Sequence, residues 1–363
     1  MPSSANTTED LTSFVAKMGG ERALRVEKNL GQGFVRLRVA EAERRQAAHD
    51  IRCTEDIVIE MLRNARDAGA HHIFVATSRE GDQRIITMLD DGSGIPPELW
   101  EQVFEARVTS KLESVHMDRW GVHGRGMALY SVRENTLESR VVESVVDGGT
   151  AIRVVSSCSK LKEISDQSTW PTVARDEDRR LVIERGPHNI IRTCCEFALE
   201  ERGTCEVFVG SAADVVATIR TRIRPSVSGA EVLFLDDLSS LPVLERFRLA
   251  SDAKELREVA SGCGLEISER TAHRIIAGQI RPMRNVVARL THTASPKQKR
   301  EVDLAADRRG LRVSREDADA FLRLMERDFA FLADRYYLNL SGRPRMRVSG
   351  NRVSVFFEYE GED

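Results

Sequence analysis

The sequence has no C-x-x-C pair, and none of its six cysteines (Cys53, Cys158, Cys194, Cys195, Cys205, Cys263) has histidines at metal-ligand spacing. That argues against a zinc module or a disulfide framework, and predicts reduced, mostly buried thiols in a cytoplasmic protein. No run approaches the roughly 18 apolar residues of a membrane span, which excludes a transmembrane helix. The opening residues, MPSSANTTED, lack the basic-then-apolar order of a signal peptide. Internal repeats and low-complexity tracts are also missing. No glycine-rich segment is followed by the lysine of a Walker loop, and none opens a Rossmann unit.

What remains is an ordinary globular composition, 41% hydrophobic and 31% charged over 363 residues, long enough for about two domains. The net charge of −3 is unevenly spread. Between Arg270 and Arg312 there are 11 Lys/Arg against 3 Asp/Glu, a local +8 that leaves −11 for the rest. Such a segment suits a polyanion, and a solvated helical surface gives the same count.

Residues 1–35 read as a weakly structured segment broken by glycines, followed by a charged helix from about Val35 to His49. A helix from about Glu55 to Ala68 stops at Gly69. HIFVATS and RIITMLD alternate as strands around the turn signal REGDQ. PPELWEQVFEA predicts a short helix, residues 107–124 a loop, and 126–136 another helix. Strands are expected near 138–145, 150–156, 190–199 and 204–209, with 159–188 an irregular excursion. This order predicts an α+β sandwich, a mixed sheet with helices on one face, over residues 36–212. A mainly helical domain, 213–363, is expected to follow. It would hold a strand at AEVLFLD, helices over about 251–292, a linker, a helix from about Arg315 to Tyr337, and a closing hairpin at Ser349-Gly350-Asn351. On the 315–337 helix, Phe321, Leu324, Met325, Phe329 and Leu332 form a stripe.

Three motifs stand out. On the helix before Gly69, Glu60, Asn64 and Asp67 recur at i, i+4 and i+7 and so share one narrow stripe. Alone this could be a solvated face. Directly after a strand comes LDDGSGI, with Asp90, Gly92 and Gly94 in a D-x-G-x-G turn. Then GVHGRGMAL sets Gly121, Gly124 and Gly126 before an apolar helix, where backbone N–H groups suit phosphate oxygens.

The order E-x-x-x-N-x-x-D-A, D-x-G-x-G, G-x-x-G-x-G resembles the Bergerat-fold ATPases, the GHKL superfamily of gyrase, heat-shock chaperones, histidine kinases and MutL. The nearest resemblance, carried by NARDAGA and by VTSK (Val108 to Lys111), is to MutL mismatch-repair proteins and type IIB topoisomerase B subunits. It extends over about residues 50–210 and implies a Bergerat-fold two-layer sandwich that binds ATP with Mg²⁺. By this resemblance Glu60 is the general base for the attacking water, a role a carboxylate near the γ-phosphate can fill. Asn64 offers an amide oxygen to Mg²⁺. Asp90 accepts a hydrogen bond from the adenine amino group, with Gly92, Gly94 and Ile95 beside the base. Gly121, Val122, His123, Gly124, Arg125, Gly126 and Met127 form the lid over the phosphates, and Lys111 is a phosphate contact. Asp67 is assigned to local structure. The superfamily's late G-T motif has two candidates, Gly149-Thr150 and Gly203-Thr204, of which Thr204 is favoured because the motif normally follows two strands beyond the lid helix.

By the same resemblance Glu60 favours a hydrolase over a histidine kinase, since the kinases lack that base, and no histidine here lies in an evident phosphoacceptor helix. Leu256–Leu290, within 252–292, resembles a helix-turn-helix, with Leu256, Val259, Ala260, Leu265, Ile267, Ala272 and Ile275 as packing positions. Ser268 would cap its second helix, leaving Arg270, His273, Arg274 and Arg281 for phosphates or bases. An ordinary helical pair is the alternative. Expected partners are therefore ATP, DNA through 256–312, a second copy of the chain or a partner protein, and no membrane. Two other functions stay open: a DNA-binding regulator that uses ATP as a conformational ligand, and a chaperone-like ATPase.

Overall fold

The computed structural model describes residues 26–39, 41–109, 116–118, 121–123, 126–163, 166–176, 180–227, 238–294, 313–349 and 352–361. It divides into two compact units, Met1–Ala294 and Ser295–Asp363. The expected break near residue 212 does not coincide with this division.

The described part of the first unit opens with a hairpin, β1 (Val26–Gly31) and β2 (Phe34–Leu37), where the sequence suggested loose structure and then helix. The charged helix starts later, as α1 (Glu41–Asp50). Then comes α2 (Thr54–Asp67). Its start is fixed by Asp56, whose carboxylate accepts from the N–H groups of Arg52 and Cys53 and so satisfies donors left over at a helix end. Its end is set at Gly69, in the left-handed region at φ +76. Ile57, Val58, Met61, Leu62 and Ala65 form its buried side.

The central sheet is built from β3 (His72–Glu80), β4 (Gln83–Asp90), β8 (Glu138–Ser144), β9 (Thr150–Ser157) and β12 (Glu206–Gly210). Its order is β12-β3-β4-β9-β8, with β12 parallel to β3 and every other pair antiparallel. Between β4 and β8 lie two short 3₁₀ turns at Pro97–Leu99 and Gln102–Phe104, β5 (Val108–Thr109), the hairpin β6 (His116–Asp118) and β7 (Gly121–His123), and α3 (Ala128–Glu134). The 3₁₀ turns replace the single helix expected there, and the hairpin replaces a loop. The excursion after β9 also contains a hairpin, β10 (Thr172–Arg175) with β11 (Leu181–Arg185).

Residues 190–199, expected as a strand, are a helix, α4 (Ile190–Glu200). Asn189 caps it by accepting from Arg192 N at 2.8 Å, and Arg192 pairs with Glu196 one turn on.

Side chains alternate across the sheet with period two. Ile73, Val75, Ile86, Met88, Ile152 and Val154 face one core with α2 and α4. Phe74, Ala76, Leu89, Ala151 and Phe208 face the other. The first face is the helical layer of a Bergerat sandwich. The second is covered by the chain after Ser211: α5 (Ala212–Arg222), α6 (Arg246–Leu249), α7 (Ala253–Gly262) and α8 (Glu269–Ile276). Phe74 and Phe208 stack at 4.9 Å on this side. α9 (Val286–Ala294) returns to the first face through Val286 and Leu290. The expected strand AEVLFLD, and the expected linker after Ala294, lie outside the described residues.

In α7 and α8 the expected packing positions Leu256, Ala260, Leu265, Ala272 and Ile275 are buried, with Val259 and Ile267 packed against them. Ser268 caps α8 by accepting from Thr271 N. The second unit holds α10 (Arg315–Tyr336) and two ladders, β13 (Leu338–Leu340) with β16 (Tyr359–Gly361) and β14 (Arg345–Ser349) with β15 (Arg352–Phe356). β14 and β15 pair on either side of the expected turn, whose Gly350 and Asn351 lie outside the described residues.

Candidate functional site

A cavity of about 140 Å³ opens between α2, β4, β9 and the start of α3. Whole small-molecule pockets run from roughly 300 to 1,000 Å³, so this space can enclose only part of a larger ligand. Its apolar wall comes mainly from Met61, Ala65, Met88, Ile95, Val103, Leu129 and Ile152, and its polar side chains are Asn64, Asp67, Asp90, Ser93, Thr109 and Thr150. A cavity with an apolar wall and one buried carboxylate suits an aromatic ring that carries a hydrogen-bond donor.

Asp90 is buried at the end of β4, and its Oδ1 accepts from Gly92 N at 2.9 Å. The turn that follows is sewn to its surroundings. Ser93 N donates to Ala68 O at the end of α2, and Gly149 N donates to Gly92 O. Glycine is required here by close approach. A Cβ on Gly92 would lie 2.9 Å from Ala68 O and from Asp90 Oδ1, and one on Gly94 would lie 1.9 Å from Val145 O, at φ +70.

Thr150 sits directly opposite Asp90 in the β4–β9 register and lines the cavity. Its Oγ1 is 3.0 Å from Ser144 Oγ, which donates to Gly149 O and accepts from Ile95 N. Thr204, the favoured late-motif threonine, is not at the cavity. It is exposed in the turn before β12, and β12 reaches β4 only across β3. The correction follows from sheet order, because only β9 neighbours the strand of Asp90 on that side. Ser144 was not foreseen from sequence; a lone serine at a strand end carries no signal.

On α2, Asn64 lines the cavity and its Nδ2 is buried without a hydrogen bond among the described residues. The carbonyl of such an amide is a hard oxygen donor, which fits a Mg²⁺ ion. No group of three or more His, Cys, Asp or Glu among the described residues could hold a metal. A cation here would thus complete its shell from a ligand's oxygens and water. Glu60 lies one turn before Asn64, about 6 Å along the helix axis, and does not line the cavity. Its Oε1 accepts from Arg63 Nη1 at 2.5 Å, and Arg63 is itself buried. Asp67 lines the cavity while held by Arg66, which also binds Glu201 at 2.6 Å.

Gly94, Ile95 and Gly126 line the cavity as well, and Met127 caps α3. Gly121, Val122 and His123 form strand β7. Lys111, Gly124 and Arg125 lie outside the described residues. Arg107, missed in the sequence, is buried with a left-handed backbone at φ 61. Its N–H donates to Gly126 O and its carbonyl accepts from Leu37 N. It thereby joins the ends of the segment between β5 and α3 to the first hairpin. Phe34 of that hairpin reaches the cavity too.

All six cysteines are outside disulfides, and burial pushes the thiols of Cys53, Cys195 and Cys263 up to about 12. No helix among the described residues is long and apolar enough to cross a membrane.

Residues 49–158, which contain the whole of this cavity except Phe34, match the family described as histidine kinase-, DNA gyrase B-, and HSP90-like ATPase. Among curated proteins, the chain is 43% identical over 101 residues to the DNA mismatch repair protein MutL of Chelativorans sp., covering 27% of this chain and 16% of that protein. It is 34% identical over 131 residues to MutL of Aquifex pyrophilus, covering 32% and 30%. With MutL of Thermus aquaticus it shares 42% over 81 residues, covering 22% and 15%. The matches thus span less than a third of each relative. Among solved structures, the mycobacterial sensor histidine kinase MprB aligns at 20% identity with a TM-score of 0.22, covering 34% of this chain and 75% of that one. Residues 49–158 thus carry, in one stretch, the three motifs, four of the five strands of the central sheet and the match to this ATPase family, whose fold the sheet order fits.

Proposed function

We propose that this chain binds ATP with Mg²⁺ in the cavity between α2 and β4 and hydrolyses it to ADP and phosphate, its nucleotide state controlling dimerisation or a DNA-associated partner. The observation that carries this reading is the convergence of Asn64, Asp90 and Thr150 on one cavity, with Glu60 a turn away on the same helix.

In this reading the adenine ring lies against Met88, Ile95 and Ile152, and Asp90 accepts from its amino group, with Thr150 beside it. Asn64 Oδ1 is the protein's oxygen ligand to Mg²⁺, which when bound neutralises phosphate charge. Glu60 accepts a proton from water as its oxygen bonds to the γ-phosphorus and the bond to the bridging oxygen breaks, releasing ADP. Arg63 fixes the Glu60 carboxylate on the helix surface. Lys111 and the glycines from Gly121 to Gly126 are assigned to the phosphates, and Thr204 is dropped. In domain terms, residues 36–212 supply the nucleotide site and the later chain supplies the coupling. The reduced thiols fit a cytoplasmic setting.

The decisive experiment is ATP turnover and ATP binding by wild type and Glu60→Ala, each with and without DNA. Lost turnover with retained binding supports the assignment, and normal turnover in the variant rejects it. DNA stimulation would support the repair-like reading.

A second reading, a DNA-binding regulator with little turnover, draws on the surface after Glu269. Residues 270–294 contain no Asp or Glu, and Arg270, Arg274, Arg281 and Arg284 are exposed. DNA affinity that falls steeply with salt would favour it.

A further inference from the structure

Among the described residues, the second unit leaves much of its apolar surface exposed. Of the 13 exposed large hydrophobic residues among the described ones, nine belong to it: Phe321, Leu324, Phe331, Leu332, Tyr336, Tyr337, Val353, Phe356 and Tyr359. α10 has no buried residue along its 22 positions. Below about 70–80 residues one core rarely suffices, and oligomerisation is a common remedy.

The apolar residues of α10 form two stripes at about 100° per residue. Along the first, Leu322, Met325 and Phe329 are half-buried, and Phe329 stacks on Phe357 of the unit's own strand region at 4.6 Å. Along the second, Phe321, Leu324, Phe331 and Leu332 are exposed, Phe331 to 68%. The sequence suggested one stripe that joined members of both. The strands of the unit leave the second uncovered.

The charges on this second stripe say what can cover it. Asp328 and Arg335 interrupt it, seven residues apart, and Phe331 and Leu332 fall midway between them. Among the described residues Asp328 pairs only with Arg327, its exposed sequence neighbour, a pair of little worth. A copy of the helix laid antiparallel, with its two-fold axis between Phe331 and Leu332, sets each Asp328 opposite the other copy's Arg335. It also packs Phe331 against Leu332 at the axis. A parallel, in-register copy would set Asp328 against Asp328 and Arg335 against Arg335. The stripe is thus complementary to itself in one direction only, which is the property of an isologous interface.

We propose that the exposed stripe of α10 is a homodimer interface, occupied by the same helix of a second copy in antiparallel register about Phe331 and Leu332. It needs no nucleotide, so it is separate from the dimerisation proposed above and can fail or hold independently of it.

Sedimentation of the full chain without nucleotide tests this. The wild type should be dimeric at micromolar concentration, and Leu324→Glu/Phe331→Glu should be monomeric with its ATP affinity unchanged. Asp328→Arg alone should weaken the dimer roughly tenfold, as should Arg335→Asp alone, and the two together should restore it. A monomeric wild type overturns the proposal, whether the stripe packs on the chain's own first unit or awaits another protein. So does a dimer seen only with ATP, a dimer that persists in the double glutamate variant, or a charge exchange that fails to restore association.

Discussion

Thr87 and Gly264 stand 177 positions apart, yet Thr87 Oγ1 donates to the Gly264 carbonyl at 2.9 Å in a fully buried bond. Thr87 lies on β4 beside Met88, which lines the cavity from the opposite face, and Gly264 forms the turn between α7 and α8. The strand that presents Asp90 is therefore fastened to the helix pair behind the sheet. Thr87→Val keeps the shape and removes the donor, leaving a buried carbonyl unmatched. A loss of about 1–3 kcal/mol is expected in chemical denaturation.

Thr150 and Thr204 can be separated by substitution. Thr150→Ala should weaken ATP binding roughly tenfold by removing a hydroxyl beside the proposed adenine position. Thr204→Ala, at an exposed turn, should leave it unchanged. Calorimetric titration of both variants decides, and the opposite ranking would return the late motif to Gly203-Thr204.

Gly94→Ala should destabilise by more than the roughly 1–2 kcal/mol of left-handed strain alone, because its Cβ would meet the Val145 carbonyl. Thermal unfolding would show it, and a melting temperature equal to wild type would refute the close approach.

His72 Nδ1 lies 2.7 Å from Asp91 Oδ2, and Asp91 Oδ1 accepts from the N–H groups of His71 and His72. The hydrogen bond to Asp91 raises His72 above its ordinary 6.5. Asp91 is held below its ordinary 3.8 by the bonds to His72 and its neighbours, although burial, the largest influence, opposes this. The raised histidine contributes stability that is complete below about 6.5 and is lost as pH climbs through its folded value. The depressed carboxylate contributes above about 3.8 and loses it as pH falls through its lowered value. The pair thus stabilises most between these limits. His72→Gln should flatten the decline in stability on the alkaline side, measured by denaturation across pH.

Much of the site was legible because its signals are local. Asn64 and Asp67 share one helix and Asp90 and Gly94 share one turn, and all four line the cavity; the order of the motifs, with the resemblance it carries, linked helix to turn where spacing alone did not. Thr150 was not decidable in this way. Two G-T pairs look alike in sequence, and only the order of strands distinguishes a neighbour of β4 from a strand beyond β3. The error at α4 had another origin. Ile190, Ile191, Thr193, Cys194 and Cys195 favour extended chain by composition, but the Asn189 cap and burial against α2 prevail. The cap and the Arg192–Glu196 spacing were readable signs of a helix. The exposed stripe of α10 was invisible for a different reason: its apolar spacing matches that of an ordinary buried face.

The covering of the sheet's second face bears on how the chain acquires its structure during synthesis. Phe74, Leu89 and Ala151 emerge well before α5 to α8, which will shelter them. Until residues as far as Ile275 have left the ribosome, the nascent sheet shows one oily side to the cell, and the bond from Thr87 to Gly264 has no second partner. A gene fragment cut at residue 212 would make that transient exposure permanent. Shortened versions meant to isolate the nucleotide site should therefore run through α9 if they are to stay in solution.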